Sequence, residues 1–187
     1  MDALFSYFAR ICPLSPPAIE AVSRIMEVQP KAKNTLLQPI GHTCRTIYFI
    51  QKGAARIFYY KDGNNITEYF AFEGDMIVRA ESLFAGKPSP KGIEILEDAL
   101  VVAIPSAPLF ALYDQFHDIE RLFRLLFEQE YVKTVKRVES LQFHTAKERY
   151  LALLEATDLV NRIPLRHIAS YLGITQVSLS RIRHDLA

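Results

Sequence analysis

Pro164-Leu165-Arg166-His167-Ile168-Ala169-Ser170-Tyr171-Leu172-Gly173-Ile174-Thr175-Gln176-Val177-Ser178-Leu179-Ser180-Arg181-Ile182-Arg183-His184-Asp185 reads as two short helices joined by a tight turn. Pro164 suits a helix start, where its missing N–H is not needed. Ile168 and Leu172 form one i, i+4 apolar edge, and Ala169 is small where a crossing helix presses closest. Gly173 supplies the turn, and Thr175 is a good cap for a second helix whose apolar edge is Ile174, Leu179 and Ile182. Two helices joined through such a turn make a helix-turn-helix unit. The second helix shows Gln176, Ser178, Ser180, Arg181 and His184 on its remaining face, with no acid before Asp185. Such side chains suit phosphate and base-edge contacts in a DNA major groove. An ordinary helical hairpin with a solvated outer face is the bland alternative, but it does not call for apolar, small, glycine and cap residues at matched positions.

Upstream, Thr145 with Glu148 three residues on predicts a capped amphipathic helix to about Thr157. Before it, Gln115 to about Gln142 lacks Gly and Pro and predicts one helix of roughly 40 Å. Its first half is apolar nearly all round (Phe116, Ile119, Leu122, Phe123, Leu125, Leu126, Phe127) and must be covered on more than one side. Its second half narrows to Tyr131, Val135, Val138 and Leu141 among Lys133, Lys136 and Arg137. Packing within its own domain would satisfy such a helix. Sharing it with a second copy of the chain satisfies it better, because a long helix leaving a small domain does not easily hide that girth alone.

From about 27 to 104 the texture is β-rich. Thr46–Ile50, Ala55–Tyr60, Ile66–Phe72, Ile93–Leu96 and Leu100–Ile104 alternate with turn signals. Lys61-Asp62-Gly63-Asn64-Asn65 is a strong hairpin turn. Short strands at this spacing predict a sandwich or barrel-like roll. Residues 4–26 carry helix-like apolar spacing, divided by Pro13–Pro17, where Ser15 is placed to cap a second helix.

The chain has 187 residues, half of them hydrophobic and 23% charged, as expected of a soluble globular protein. No apolar run approaches a membrane span, and Met1-Asp2-Ala3-Leu4 lacks the basic start of a secretory signal. Cys12 and Cys44 are too few for a disulfide framework, so a reduced, cytoplasmic compartment is expected. Residues 1–132 hold 13 Lys/Arg against 16 Asp/Glu, whereas residues 133–187 hold 9 against 5. An acidic body with a basic tail mildly favours a polyanionic partner for the tail.

An N-terminal β-roll, a long helix and a C-terminal helix-turn-helix together resemble the Crp/Fnr superfamily of bacterial transcription regulators. The likeness rests on Glu73-Gly74-Asp75-Met76-Ile77, the Ile93–Asp98 strand, the long helix and the motif at 164–186. The resemblance implies an α+β chain: a double-stranded β-roll like that of cyclic-nucleotide-binding proteins (1–114), a long dimerisation helix (115–142) and a helix-turn-helix (143–187). It implies a homodimer that presents each recognition helix, about 175–185, to half of a two-fold symmetric site on double-stranded DNA. It also admits RNA polymerase as a partner. By matching positions, Gln176, Val177 and Arg181 lie where the family reads bases. Ser178 and Ser180 lie where it meets backbone or neighbouring bases, with Thr175 as cap and Arg166 expected on phosphate. The family often has an acid at the position of Val177; Val can meet a thymine methyl but cannot accept from cytosine. Since the chain stops at Ala187, the terminal β-wing of many relatives is expected to be absent.

In cyclic-nucleotide-binding relatives a Gly-Glu pair holds the ribose, and an Arg followed by a small hydroxyl residue holds the phosphate. The corresponding stretch here is Val78–Lys91. Glu81 is the candidate for the ribose carboxylate and Lys87 or Lys91 for the guanidinium, with Arg79, Ser82 and Ser89 beside them. Lys lacks the bidentate fork, and Pro88 and Pro90 remove N–H donors from the loop. Cyclic AMP and cyclic GMP are therefore expected not to bind tightly. That leaves the roll to hold another small-molecule effector or to serve as a scaffold.

The histidines (His42, His117, His144, His167, His184) show no H-x-H or H-E-x-x-H spacing, so neither metal nor cofactor is expected. A cupin-like metalloenzyme would need several histidines on neighbouring strands, yet the strand region holds only His42. No G-x-S-x-G, Walker or dinucleotide fingerprint occurs. The expectation is a non-enzymatic regulator. Its main alternative is a signalling or ligand-binding roll whose helix-turn-helix does not bind DNA.

Overall fold

The computed structural model describes residues 2–156 and 161–186. Two helices, α1 (Asp2–Ile11) and α2 (Pro16–Ile25), precede eight strands: β1 (Glu27–Lys31), β2 (Leu36–Gln38), β3 (Thr46–Lys52), β4 (Ala55–Lys61), β5 (Asn64–Ala71), β6 (Met76–Ile77), β7 (Gly92–Ile95) and β8 (Ala99–Pro105). A short helix, α3 (Ala80–Ala85), interrupts them, and α4 (Ser106–Tyr113), α5 (His117–Phe143), α6 (Ala146–Ala156), α7 (Leu165–Tyr171) and α8 (Gln176–His184) follow.

The strands form two four-stranded antiparallel sheets, ordered β1-β8-β3-β6 and β2-β7-β4-β5. Ile50, Ile57, Ile77, Ile93, Ile95 and Val101 fill the space between them. The β4–β5 hairpin turns at Asp62 (φ 50°) and Gly63 (φ 75°), the positive-φ pair of a two-residue turn matched to strand twist. The five strand runs expected from sequence are all strands. β1 and β2 were not singled out: Glu-Val-Gln-Pro-Lys is mostly exposed and carries no alternating apolar signal.

For the first half of α5, the preferred reading of a girth shared with a second copy gives way to the alternative, packing within the chain's own domain. Ile119, Leu122, Phe123 and Leu126 are buried in this chain's own core with Leu4, Phe8 and Leu109. Phe8 meets Phe123 edge-on, with ring centroids 5.7 Å apart. The N-terminal helices and α4 are the cover. Each such buried side chain contributes about 1.5–3 kcal/mol. Ser15 is likewise corrected: it sits at the start of α2 without a side-chain cap, and its N–H donates to Asp118 Oδ2 at 2.7 Å, tying α2 to α5.

Thr145 and Glu148 form the expected capping box. Thr145 N–H donates to Glu148 Oε2 at 2.7 Å, and Glu148 N–H donates to Thr145 Oγ1 at 3.3 Å. The expected helix end at Thr157 lies outside the described residues, as does Ala187, to which the absence of a wing was tied. No helix among the described residues is long and apolar enough to cross a membrane.

Candidate nucleic-acid interface and the roll site

Gly173 takes φ 72°, the left-handed conformation that ends α7. Ile174 N–H donates to Ala169 C=O at 3.0 Å and Gly173 N–H to Ser170 C=O at 3.1 Å, the paired bonds of a Schellman stop. Thr175 Oγ1 then accepts from Ser178 N–H at 3.1 Å and starts α8. Ile168, Ala169, Leu172 and Leu179 are buried between the two helices and the roll.

Of the sequence-predicted residues, Thr175, Gln176, Val177, Ser180 and Arg181 are all exposed along α8, together with Arg183 and His184. Ser178 is half-buried, its Oγ 2.9 Å from Thr175 Oγ1, so its hydroxyl serves the cap. Arg166 is exposed on α7, and its Nε donates to His167 Nε2 at 3.3 Å.

The α7–α8 pair is not a free appendage. Thr67 N–H donates to Ser170 Oγ at 3.1 Å, and Phe70 meets Tyr171 at 5.0 Å between ring centroids. Arg162 bridges Glu73 and Glu97 of the roll. Arg137 of α5 donates to Tyr171 C=O, and Arg149 of α6 donates to Leu172 C=O at 2.7 Å. Beneath α7, Arg56 is only 2% exposed and is held by Glu94, Asn65 and Thr67. Burial, then Arg56 and Arg166, push His167 down to about 4, so it stands neutral and can accept from Arg166. Sequence reading gave no contact role to Arg56, Arg137, Arg149 or Arg162. Each meets a partner on another element, a relationship without a local signal.

The second half of α5 exposes Tyr131, Val132, Val135, Val138 and Leu141. An open groove runs beside it, lined by Phe84, Tyr113, Phe127, Tyr131 and Val132.

In the roll, Arg79, Ser89 and Lys91 come together, and Glu81 only loosely joins them, at 3.8 Å from Arg79 with most of its side chain exposed. Ser82 and Lys87 do not join. The Ser82 hydroxyl accepts from Cys44 N–H at 2.9 Å and donates to the Lys87 carbonyl at 2.5 Å, stapling the loop from behind. The carboxylate that does meet Arg79 and Lys91 is Glu68 on β5, which sequence reading did not name. Among the described residues no three His, Cys, Asp or Glu side chains are grouped to hold a metal ion.

Residues 29–116 match the family model of the cyclic nucleotide-binding domain. No curated protein matches the chain. Among solved structures, FixK2 from Bradyrhizobium japonicum aligns at 20% identity with a TM-score of 0.75, over 87% of this chain and 84% of that one. The c-di-GMP responsive global regulator CLP of Xanthomonas campestris aligns at 14% identity with a TM-score of 0.70, over 92% and 91%. A protein of Eubacterium rectale, assigned to the Crp/Fnr family of transcriptional regulators, aligns at 20% with a TM-score of 0.69, over 90% and 82%. Residues 29–116 are thus a domain of the cyclic nucleotide-binding type, set in a chain with the fold of the Crp/Fnr regulators.

Proposed function

We propose that the chain is a sequence-specific DNA-binding transcription regulator of Crp/Fnr type, not an enzyme, and that it acts in the cytoplasm. In this reading residues 1–114 form a sensor-like roll, 115–142 the dimer helix and 143–187 the DNA reader. The observation that carries it is the outer face of α8, where Gln176, Val177, Ser180, Arg181, Arg183 and His184 are exposed together without an acid among them. Donors and short polar groups on a capped helix suit the major groove, and the basic side chains suit the phosphates on its walls.

The partner copy in this reading docks on the second half of α5, where Tyr131, Val135 and Val138 lie one turn apart and uncovered. Two such stripes related by a two-fold axis bury one another, and set two recognition helices on half-sites about one DNA turn apart. Cyclic AMP and cyclic GMP do not switch the protein in this reading.

The competing reading is an interaction module without DNA affinity, favoured by the seat of α7 on β5 through Ser170 and Tyr171. Titration of the protein against a selected duplex and a scrambled one, at several salt concentrations, separates the two. The regulator prefers the selected duplex and loses affinity steeply with salt. Equal weak binding to both duplexes would leave the interaction module standing.

A further inference from the structure

Arg79 is 7% exposed, and a guanidinium in such a place needs an anion close by. It has one on β5: Arg79 Nη1 lies 3.3 Å from Glu68 Oε1. The other oxygen, Glu68 Oε2, is taken by the ammonium of Lys91. Ser89, 3% exposed, completes the cradle, since its Oγ accepts from Arg79 Nε at 3.4 Å and from Lys91 N–H at 3.1 Å. The loop carrying Ser89 is fixed by backbone bonds on both sides: Ser89 N–H donates to His42 C=O at 3.0 Å, and Gly41 N–H donates to Ser89 C=O at 2.8 Å. Two cations therefore converge on a single carboxylate, one oxygen to each cation, while the buried Ser89 hydroxyl accepts from both residues that carry them.

The backbone of β5 is built for this placement. Ile57 pairs with Tyr69 and Phe58 with Thr67, so the register skips Glu68. A β-bulge inserts one residue and re-aims its side chain at the cost of a paired ladder position. The inserted residue here is the one that carries the anion.

We propose that Glu68 is a built-in anionic ligand of the roll. Its carboxylate occupies the cradle of Arg79, Lys91 and Ser89, which would otherwise take an external oxyanion such as a phosphate group. A phosphate presents the same pair of oxygens to the same two cations, so it and Glu68 compete for one place. Glu81 does not substitute for Glu68, because it reaches Arg79 only at 3.8 Å and its side chain is 79% exposed. The roll is closed to phosphate-bearing effectors by its own side chain, and removing Glu68 opens it.

The test measures inorganic phosphate binding to the full chain by calorimetry and by the shift in melting temperature, at constant ionic strength against a chloride control. Wild type is expected to show no saturable binding in the millimolar range. Glu68→Ala is expected to melt lower in chloride, to recover in phosphate, and to bind phosphate at least about tenfold more tightly than wild type. Glu68→Ala combined with Arg79→Gln loses that gain. Should Glu68→Ala not fold, Glu68→Ser removes the carboxylate and most of its volume and carries the same expectation. A folded Glu68 variant with no gain in phosphate affinity overturns the proposal, as does wild type that binds phosphate as tightly as the variant. DNA is absent from these measurements, so their outcome is separate from that of the regulator reading.

Discussion

The Arg137 guanidinium lies 3.8 Å from the centroid of the Tyr171 ring and donates to the Tyr171 carbonyl, so one side chain of α5 grips both the ring and the backbone at the end of α7. The last carbonyls of a helix have no intrahelical donors. Here Arg137 serves Tyr171, and Arg149 serves Leu172 as well as His144 at the end of α5. The pair couples α5 and α6 to the end of α7.

Arg137→Ala should therefore cost about 1–3 kcal/mol of stability, from a desolvated cation–π contact and a charged hydrogen bond. Arg137→Lys should recover little, because an ammonium cannot stack flat on Tyr171 while donating to its carbonyl. Denaturant midpoints of the three proteins measure the effect. A lysine variant as stable as wild type would show that charge alone matters at this contact.

Association along α5 is tested at Val135 and Val138, which are 37% and 48% exposed in the single chain. Val135→Glu with Val138→Glu should turn a dimer into a folded monomer, since the like charges would face one another across the two-fold axis. Leu126 is 5% exposed and belongs to the chain's own core, so Leu126→Glu should unfold the protein rather than separate its copies. Sedimentation with circular dichroism distinguishes these outcomes. A wild type that sediments as a monomer at micromolar concentration would remove the dimer from the proposed function.

Much of this architecture is local and so was legible in the sequence. Gly173 between two apolar edges, Thr145 three residues before Glu148, and Asp62-Gly63 between alternating strands each state their conformation within a few residues. The contacts that hold the units together are not local. Glu68 lies inside a run read simply as a strand, and its role depends on a bulge and on residues 11 and 23 positions away. The girth of α5 was visible, but not the fact that Phe8, more than a hundred residues upstream, covers Phe123. Apolar residues show that a surface will be buried without showing what buries it.

His167 makes the seat of α7 sensitive to acid. Seated, it becomes protonated only near pH 4, whereas a freed imidazole takes up its proton near 6.5. Between those values the freed state binds more protons, so the seated state is fully stable above pH 6.5 and weakens as pH falls toward 4. The charged groups beside the imidazole are Arg56 from β4 and Arg166 on α7 itself, and both repel an imidazolium. Discounted for the solvent that reaches the edge of this contact, the loss is on the order of 2 kcal/mol. Melting temperatures measured across the window should fall for wild type and stay flatter for His167→Gln, which does not titrate. Parallel curves for the two proteins would remove His167 from the pH dependence.

The final prediction separates base reading from phosphate contact. Arg181 is exposed on α8, one turn past Gln176–Ser178 and opposite buried Leu179. From a major groove position its guanidinium can donate two parallel hydrogen bonds to guanine O6 and N7. Arg181→Ala should then cost roughly 1–3 kcal/mol of specific binding and relax preference at one base pair in each half-site. Arg166 stands on α7, outside α8, with its Nε on His167. Arg166→Ala should weaken binding to all duplexes alike and flatten the salt dependence, the behaviour of a phosphate contact. It should also relieve part of the pressure that keeps His167 unprotonated, an effect readable in the pH series without DNA. Titration of both variants against a selected and a scrambled duplex at several salt concentrations decides the assignment. If Arg181→Ala keeps the full preference of wild type, the base-reading role belongs to another residue of α8. If Arg166→Ala leaves the salt slope unchanged, Arg166 serves only the seat of α7.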